Sequence, residues 1–237
     1  FAGQVKDGAV WGRGAWDDKG NLIAQMEAVE MLLAAGFQPR QTVYLVSSAD
    51  EEVGGLRGTA SIVELLRERQ VRLDFVLDEG LLITEGVIPG VAAPAALVGV
   101  AEKGFLSVRL KVQGAPGHSS MPPAPGSTSI AMMTAALQRL EQRQFPAALD
   151  GVARELFETL APEMSGLQRV ALSNLWLFGP LVERQLAGAA STNAMLRTTT
   201  ALTIVNAGNK ENVLPGRAEA VVNFRLLPGD TRETVLN

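Results

Sequence analysis

The sequence predicts an α/β chain in two parts, with a mainly parallel sheet over residues 1–101 and an α+β layer over 102–237. Two observations lead there. Between Asn21 and Asp78 the patterns run helix, strand, helix, strand, and both strands are apolar almost without a break. Such strands belong to sheets covered on both faces. From about Ala101 the pattern becomes a strict alternation, with Leu106, Val108, Leu110 and Val112 apolar, which marks a strand with one wet face.

The elements follow in order. Leu22, Ile23, Met26, Val29, Leu32 and Leu33 recur at helical spacing over 21–35, and Gly36 suits the C-terminal cap. A strand follows at Thr42–Ser48, a helix at Leu56–Gln70, and a buried strand at Leu73–Leu77 ending on Asp78. In an open parallel sheet, ligands sit beyond the carboxyl ends of the strands, which is where Glu51, Glu52 and Asp78 fall. In the second part, a strand at Phe105–Val112 leads through a Pro/Gly-rich loop to a helix at Ser127–Arg143. Two strands, Thr199–Val205 and Ala218–Leu226, precede the start of a further helix at 230–237. The stretch 145–192 gives no regular period. The order β-α-…-β-β-α is that of a split, ferredoxin-like layer without its last strand.

Composition narrows the function classes. The 237 residues carry a net charge of -4, with no cysteine and one histidine. Disulfides, thiolate metal sites and cysteine nucleophiles are excluded. No basic patch suits a nucleic acid. The longest apolar tract, Gly86 to Ala101, is interrupted by Pro89 and Pro94 and is too short to span a bilayer comfortably, so no membrane partner is expected.

Five sets of residues have chemical character. Asp50-Glu51-Glu52 places three mutually repelling acids at a strand end, a penalty that a multivalent cation removes. Adjacent carboxylates also divide labour, one holding a metal while another moves a proton. Gly12-Arg13-Gly14-Ala15-Trp16-Asp17-Asp18-Lys19-Gly20 lacks the Gly-Lys-Ser/Thr ending of a phosphate loop. Its acids suit a metal, and equally an acidic helix cap. Asp78-Glu79-Gly80 reads as a metal site or as an ordinary turn. The single histidine, His118, lies in Gly-His-Ser-Ser-Met-Pro. No Gly-x-Ser-x-Gly elbow is present, so a serine-histidine hydrolase is not indicated. Asn212 precedes Val-Leu-Pro, and Arg225, on an alternating strand, reads either as a surface cation or as a fork for a carboxylate.

Taken in order, Gly-Arg-Gly-Ala-Trp-Asp-Asp-Lys-Gly, Asp-Glu-Glu-Val-Gly-Gly, Leu-Asp-Glu-Gly, Gly-Ala-Pro-Gly-His-Ser-Ser-Met-Pro and Asn-Val-Leu-Pro resemble the M20 family of metallopeptidases and amidohydrolases. The closest likeness is to its carboxypeptidase S-like, N-acyl-amino-acid-hydrolysing branch. These motifs lie between Gly12 and Pro228. The resemblance implies a metallohydrolase catalytic domain with two Zn2+ ions, and a lid domain through which a homodimer forms. Asp17 would bridge the metals, Glu52 would ligate one and Asp78 the other, and Glu51 would be the general base. The Asp17–Asp18 peptide is expected to be cis. His118 would stabilise the oxyanion, and Asn212 and Arg225 would bind the polar end of a small peptide or N-acyl amino acid.

The family's pattern also has a His-x-Asp motif upstream, a histidine ligand near its C-terminus and a return from the lid, none of which this chain contains. The chain is therefore expected to be an internal piece of a longer protein and inactive alone, its carboxylates holding a hard cation, or zinc weakly. Two rivals stand beside this reading. One is a non-catalytic dimerisation or binding module. The other is a magnesium-dependent phosphoryl-transfer enzyme, which the lack of a phosphate loop disfavours.

Overall fold

A computed structural model describes residues 2–88 and 90–237. The chain divides into two compact units, Phe1–Gly80 and Leu81–Asn237.

The first unit opens on an antiparallel hairpin of β1 (Ala2–Lys6) and β2 (Ala9–Gly12). Its two-residue turn is Asp7-Gly8, both at positive φ, as a turn that follows the right-handed twist of the strands demands. Helix α1 (Lys19–Ala34) ends at Gly36, whose φ of 79° lets Gly36 N–H reach Leu33 O and Phe37 N–H reach Leu32 O. This pair of bonds closes the helix as a Schellman turn. Helix α2 (Thr59–Glu68) follows a one-turn 3-10 helix at Glu51–Val53.

The expected parallel sheet is not formed. Thr42–Ser48 and Leu73–Leu77 have no strand hydrogen bonds, and every pairing among the described residues is antiparallel. The two runs approach where the Gln41 amide donates to the Asp74 carboxylate. Their apolar side chains stay in solvent, Phe75 at 76% and Leu77 at 82% exposure. A parallel ladder needs cover on both faces, and these runs lack it. Gly55 alone is buried among the described residues of this unit.

The second unit holds the principal core. After a short pair, β3 (Ile83–Thr84) and β4 (Ala95–Ala96), come β5 (Gly104–Gln113), β6 (Gly117–His118) and α3 (Ser129–Gln142). Four helices fill the stretch with no sequence period: α4 (Gly151–Leu160), α5 (Gly166–Leu172), α6 (Leu175–Leu186) and α7 (Ala190–Leu196). Then come β7 (Thr199–Asn206), β8 (Val213–Leu214), β9 (Arg217–Leu226) and α8 (Arg232–Leu236). The main sheet is antiparallel in the order β5-β9-β7, so the last strand lies between the other two. Along β9, Ala218, Ala220, Val222, Phe224 and Leu226 are buried, and they pack with Met133 and Leu137 of α3. Burying one such large side chain stabilises the fold by about 1.5–3 kcal/mol. The opposite face, with Phe105 and Arg225, is open.

A second core joins Val91 to Ala161, Met164, Leu172, Leu175 and Val182, so part of 81–101 packs with the helices. Lys103, just before β5, ties the C-terminus of α7 to the sheet. Its Nζ donates to Ala194 O at 2.7 Å and Arg197 O at 2.9 Å. No helix among the described residues is long and apolar enough to cross a membrane.

Candidate active site

The glycine-rich loop positions the first acids. Gly14 adopts φ 69°, and a Cβ there would stand 3.3 Å from Asp17 O and from Lys19 Cε. Only glycine meets both demands. Lys19 Nζ donates to Arg13 O at 2.8 Å, and Lys19 N–H to Gly14 O at 2.8 Å. The Asp17–Asp18 peptide is cis, as the resemblance implied. The two acids then separate in role. Asp18 is the N-cap of α1, its carboxylate accepting from the backbone N–H and side-chain amide of Asn21. The cap reading therefore holds for Asp18, which nonetheless also offers a carboxylate oxygen beside Asp17.

The three acids of 50–52 divide similarly. Asp50 turns inward and accepts from Arg57 N–H at 2.8 Å and Gly58 N–H at 3.0 Å. A Cβ on Gly58 would lie 2.2 Å from Asp50 Oδ1, so a side chain there would break this clasp. Gly54 and Gly55, at φ 98° and 63°, turn the chain after the 3-10 helix. Glu51 and Glu52 stay exposed on that helix, and their carboxylates accept no hydrogen bond from the described residues.

Asp17, Asp18 and Glu79 converge, each offering a carboxylate oxygen within 4.8 Å of the others. The Glu79 pKa is raised, first by the charge of Asp17, then by burial, then by Asp18, Asp78 and Glu51. Acids from three separate motifs thus act on one point. Glu52 and Asp78 do not join the close trio, and Asp78 Oδ1 instead accepts the Glu79 N–H at 3.0 Å. Asp18 and Glu79 lie in the acidic motifs that the sequence marks, but the ligand roles expected there fall on their neighbours Asp17 and Asp78. The donor set is hard oxygen, which fits a divalent cation.

In the second unit, β6 pairs with β8, setting His118 opposite Val213, and Ser119 N–H donates to Asn212 O at 3.0 Å. His118 and Asn212 are thereby neighbours. Asn212 Oδ1 is buried without a hydrogen-bond partner among the described residues, a state that a ligand N–H would relieve. The corner is pinned by the buried Ser129, whose Oγ donates to Pro215 O at 2.7 Å, and by Gly114 N–H to Gly216 O. A Cβ on Gly114 would meet Ser129 N at 3.0 Å. Arg225 stands on the open sheet face, opposite Phe105 on one side and Thr199 on the other.

The profile of the peptidase dimerisation domain, M20_dimer, matches residues 100–237. The chain belongs to the M20 family. Within this family it is 46% identical over 238 residues to the N-fatty-acyl-amino acid synthase/hydrolase PM20D1 of Xenopus tropicalis, covering 100% of this chain and 46% of that protein. It is 41% identical over 239 residues to the probable carboxypeptidase S-like 2 of Dictyostelium discoideum, with 100% and 46% covered. The chain spans about half the length of these curated relatives. Among solved M20 structures, human carnosine dipeptidase 1 matches at a TM-score of 0.51 and 17% identity, covering 98% of this chain and 50% of that one. The M20 family metallo-carboxypeptidase Sso-CP2 of Sulfolobus solfataricus matches at 0.50 and 19%, with 100% and 54% covered. At such identities the likeness is one of fold.

Proposed function

We propose that this chain is part of a zinc-dependent hydrolase acting on the amide bond of a small peptide or N-acyl amino acid. The observation behind this reading is the convergence of Asp17, Asp18 and Glu79, with the charges of Asp78 and Glu51 acting on the same point. Such a cluster of repelling carboxylates is relieved by a cation. Asp17, Glu52 and Asp78 are the ligands we assign to two zinc ions, with Asp18 and Glu79 beside them. Zinc, when bound, lowers the proton affinity of the attacking water and polarises the scissile carbonyl.

The remaining steps fall to the chain's own side chains. Glu51, whose carboxylate accepts no hydrogen bond among the described residues, takes the proton from the attacking water and returns it to the leaving nitrogen. His118 donates to the carbonyl oxygen as charge develops there. Asn212 and Arg225 hold the polar end of the substrate. The unpaired Asn212 Oδ1 supports this, as does an Arg225 side chain with no acid beside it among the described residues.

We read residues 102–237 as the lid, a ferredoxin-like layer in which β5, β7 and β9 are the first three strands. The order β5-β9-β7 supports that reading. The match to a peptidase dimerisation domain supports homodimerisation through this lid. The names of the relatives favour an N-fatty-acyl amino acid as substrate. The test is hydrolysis of N-acyl amino acids by the longer protein with added zinc, against Glu51→Gln. Activity lost in the variant supports the assignment, and full activity in Glu51→Gln removes Glu51 as the base.

A further inference from the structure

Among the described residues, His118 Nδ1 has two hydrogen-bonding contacts, both from Ser120. The Ser120 backbone N–H donates to it at 3.2 Å, and Ser120 Oγ lies 2.8 Å away. A backbone N–H can only donate, so the nitrogen it meets must present a lone pair. Nδ1 is therefore the unprotonated nitrogen of the neutral ring. Ser120 Oγ can then bond to it only by giving its own proton. The remaining ring proton must sit on Nε2, the nitrogen left free to meet a ligand. The local chain makes this arrangement possible. Met121 N–H donates to His118 O at 3.1 Å and closes a turn that folds Ser120 beneath the imidazole, while Ser119 N–H is anchored on Asn212 O.

We propose that Ser120 is a positioning residue that holds His118 in the Nε2–H form, with its donor directed at the substrate oxygen. This rests on the hydrolase reading given above, in which His118 must donate a hydrogen bond. The opposite tautomer would present a lone pair to a developing negative charge and repel it. Ser120 thereby excludes a form that an unrestrained ring populates, without touching the substrate itself.

His118 is the only histidine, so a 15N-labelled chain gives one pair of ring nitrogens to observe. Long-range proton–nitrogen correlation spectra above the ring's titration range read the two tautomers directly. A synthetic peptide of residues 115–122 supplies the ratio for an unrestrained ring. The expected result is an Nδ1–H form below detection in the chain and visible in the peptide. In Ser120→Ala it should rise at least several-fold, and in Ser120→Thr, which keeps a hydroxyl, it should fall back. A chain showing the peptide's ratio, or a Ser120→Ala chain identical to the unaltered one, would overturn the proposal. These spectra need no substrate, so they are independent of whether the hydrolase reading holds. That reading is judged by His118→Ala in the turnover assay on the longer protein, where unchanged activity would count against it.

Discussion

The guanidinium carbon of Arg225 lies 4.9 Å from the centroid of the Phe105 ring, its direct cross-strand partner on the open face of the sheet. This contact holds the guanidinium over the ring. An exposed cation–π contact stabilises by about 0.5–1 kcal/mol. Phe105→Leu should therefore weaken binding of a carboxylate-bearing substrate roughly 2–5-fold, and Phe105→Tyr should not. Titration calorimetry with an N-acyl amino acid and with its amide separates the cases, since the amide should be indifferent to either change.

Glu79 and Asp17 give a prediction about pH. The folded pKa of Glu79 is raised, with Asp17 the largest cause. The group thus favours the folded state most below the ordinary carboxylate range, and that contribution is lost as pH rises through the raised folded value. Asp17→Asn removes the largest cause, so Glu79 should titrate closer to an ordinary glutamate. Carboxyl carbon NMR of the two chains checks this, and an unmoved Glu79 would contradict the cluster geometry.

Lys103 is a matching case of opposite sign. Its pKa is lowered by burial and then by Arg225. The unfolded chain holds the proton more readily, so stability from this group is fully present above the ordinary lysine range and falls as pH drops through the folded value. Lys103→Met relieves the buried charge but strands the carbonyls of Ala194 and Arg197. Loss of partners costs about 1–3 kcal/mol for fully buried acceptors and less for these half-buried ones, so the variant should be modestly net destabilised in urea melts at neutral pH.

Met133 is 2% exposed and sits against the central strand, whereas Leu167 on α5 is 87% exposed. Met133→Ala should cost about 2–5 kcal/mol, and Leu167→Ala within about 0.5 kcal/mol. Urea denaturation followed by signals from the second unit distinguishes them.

Legibility in the sequence followed the strength of each local signal. The alternation along Leu106–Val112 and Ala218–Leu226 identified β5 and β9 because each strand has one dry and one wet face. Helix α1 was legible from its period and from Gly36. The Asp7-Gly8 turn carries an equally plain hairpin signal. The parallel sheet was misread because unbroken apolar runs report burial only when other elements cover them, and Val43–Val46 are exposed here. Helices α4 to α7 are short, and Pro162, Gly166 and Pro180 interrupt or bound them, so no long regular run marks the stretch. In the site, the acid-rich motifs were visible, but adjacency hid which acid does what. Asp18 and Asp50 serve the backbone, and Glu79 rather than Asp78 closes on Asp17. Backbone direction decides between neighbouring carboxylates, and composition does not record it.

Zinc binding by the purified chain is the most direct measurement, with metal counted by elemental analysis after zinc addition and dialysis. The convergence of the carboxylates predicts retained zinc in the unaltered chain, with loss in Asp17→Asn and reduction in Glu79→Gln and Glu52→Ala. No retained zinc, or equal retention in Asp17→Asn, would contradict a cation site built on Asp17.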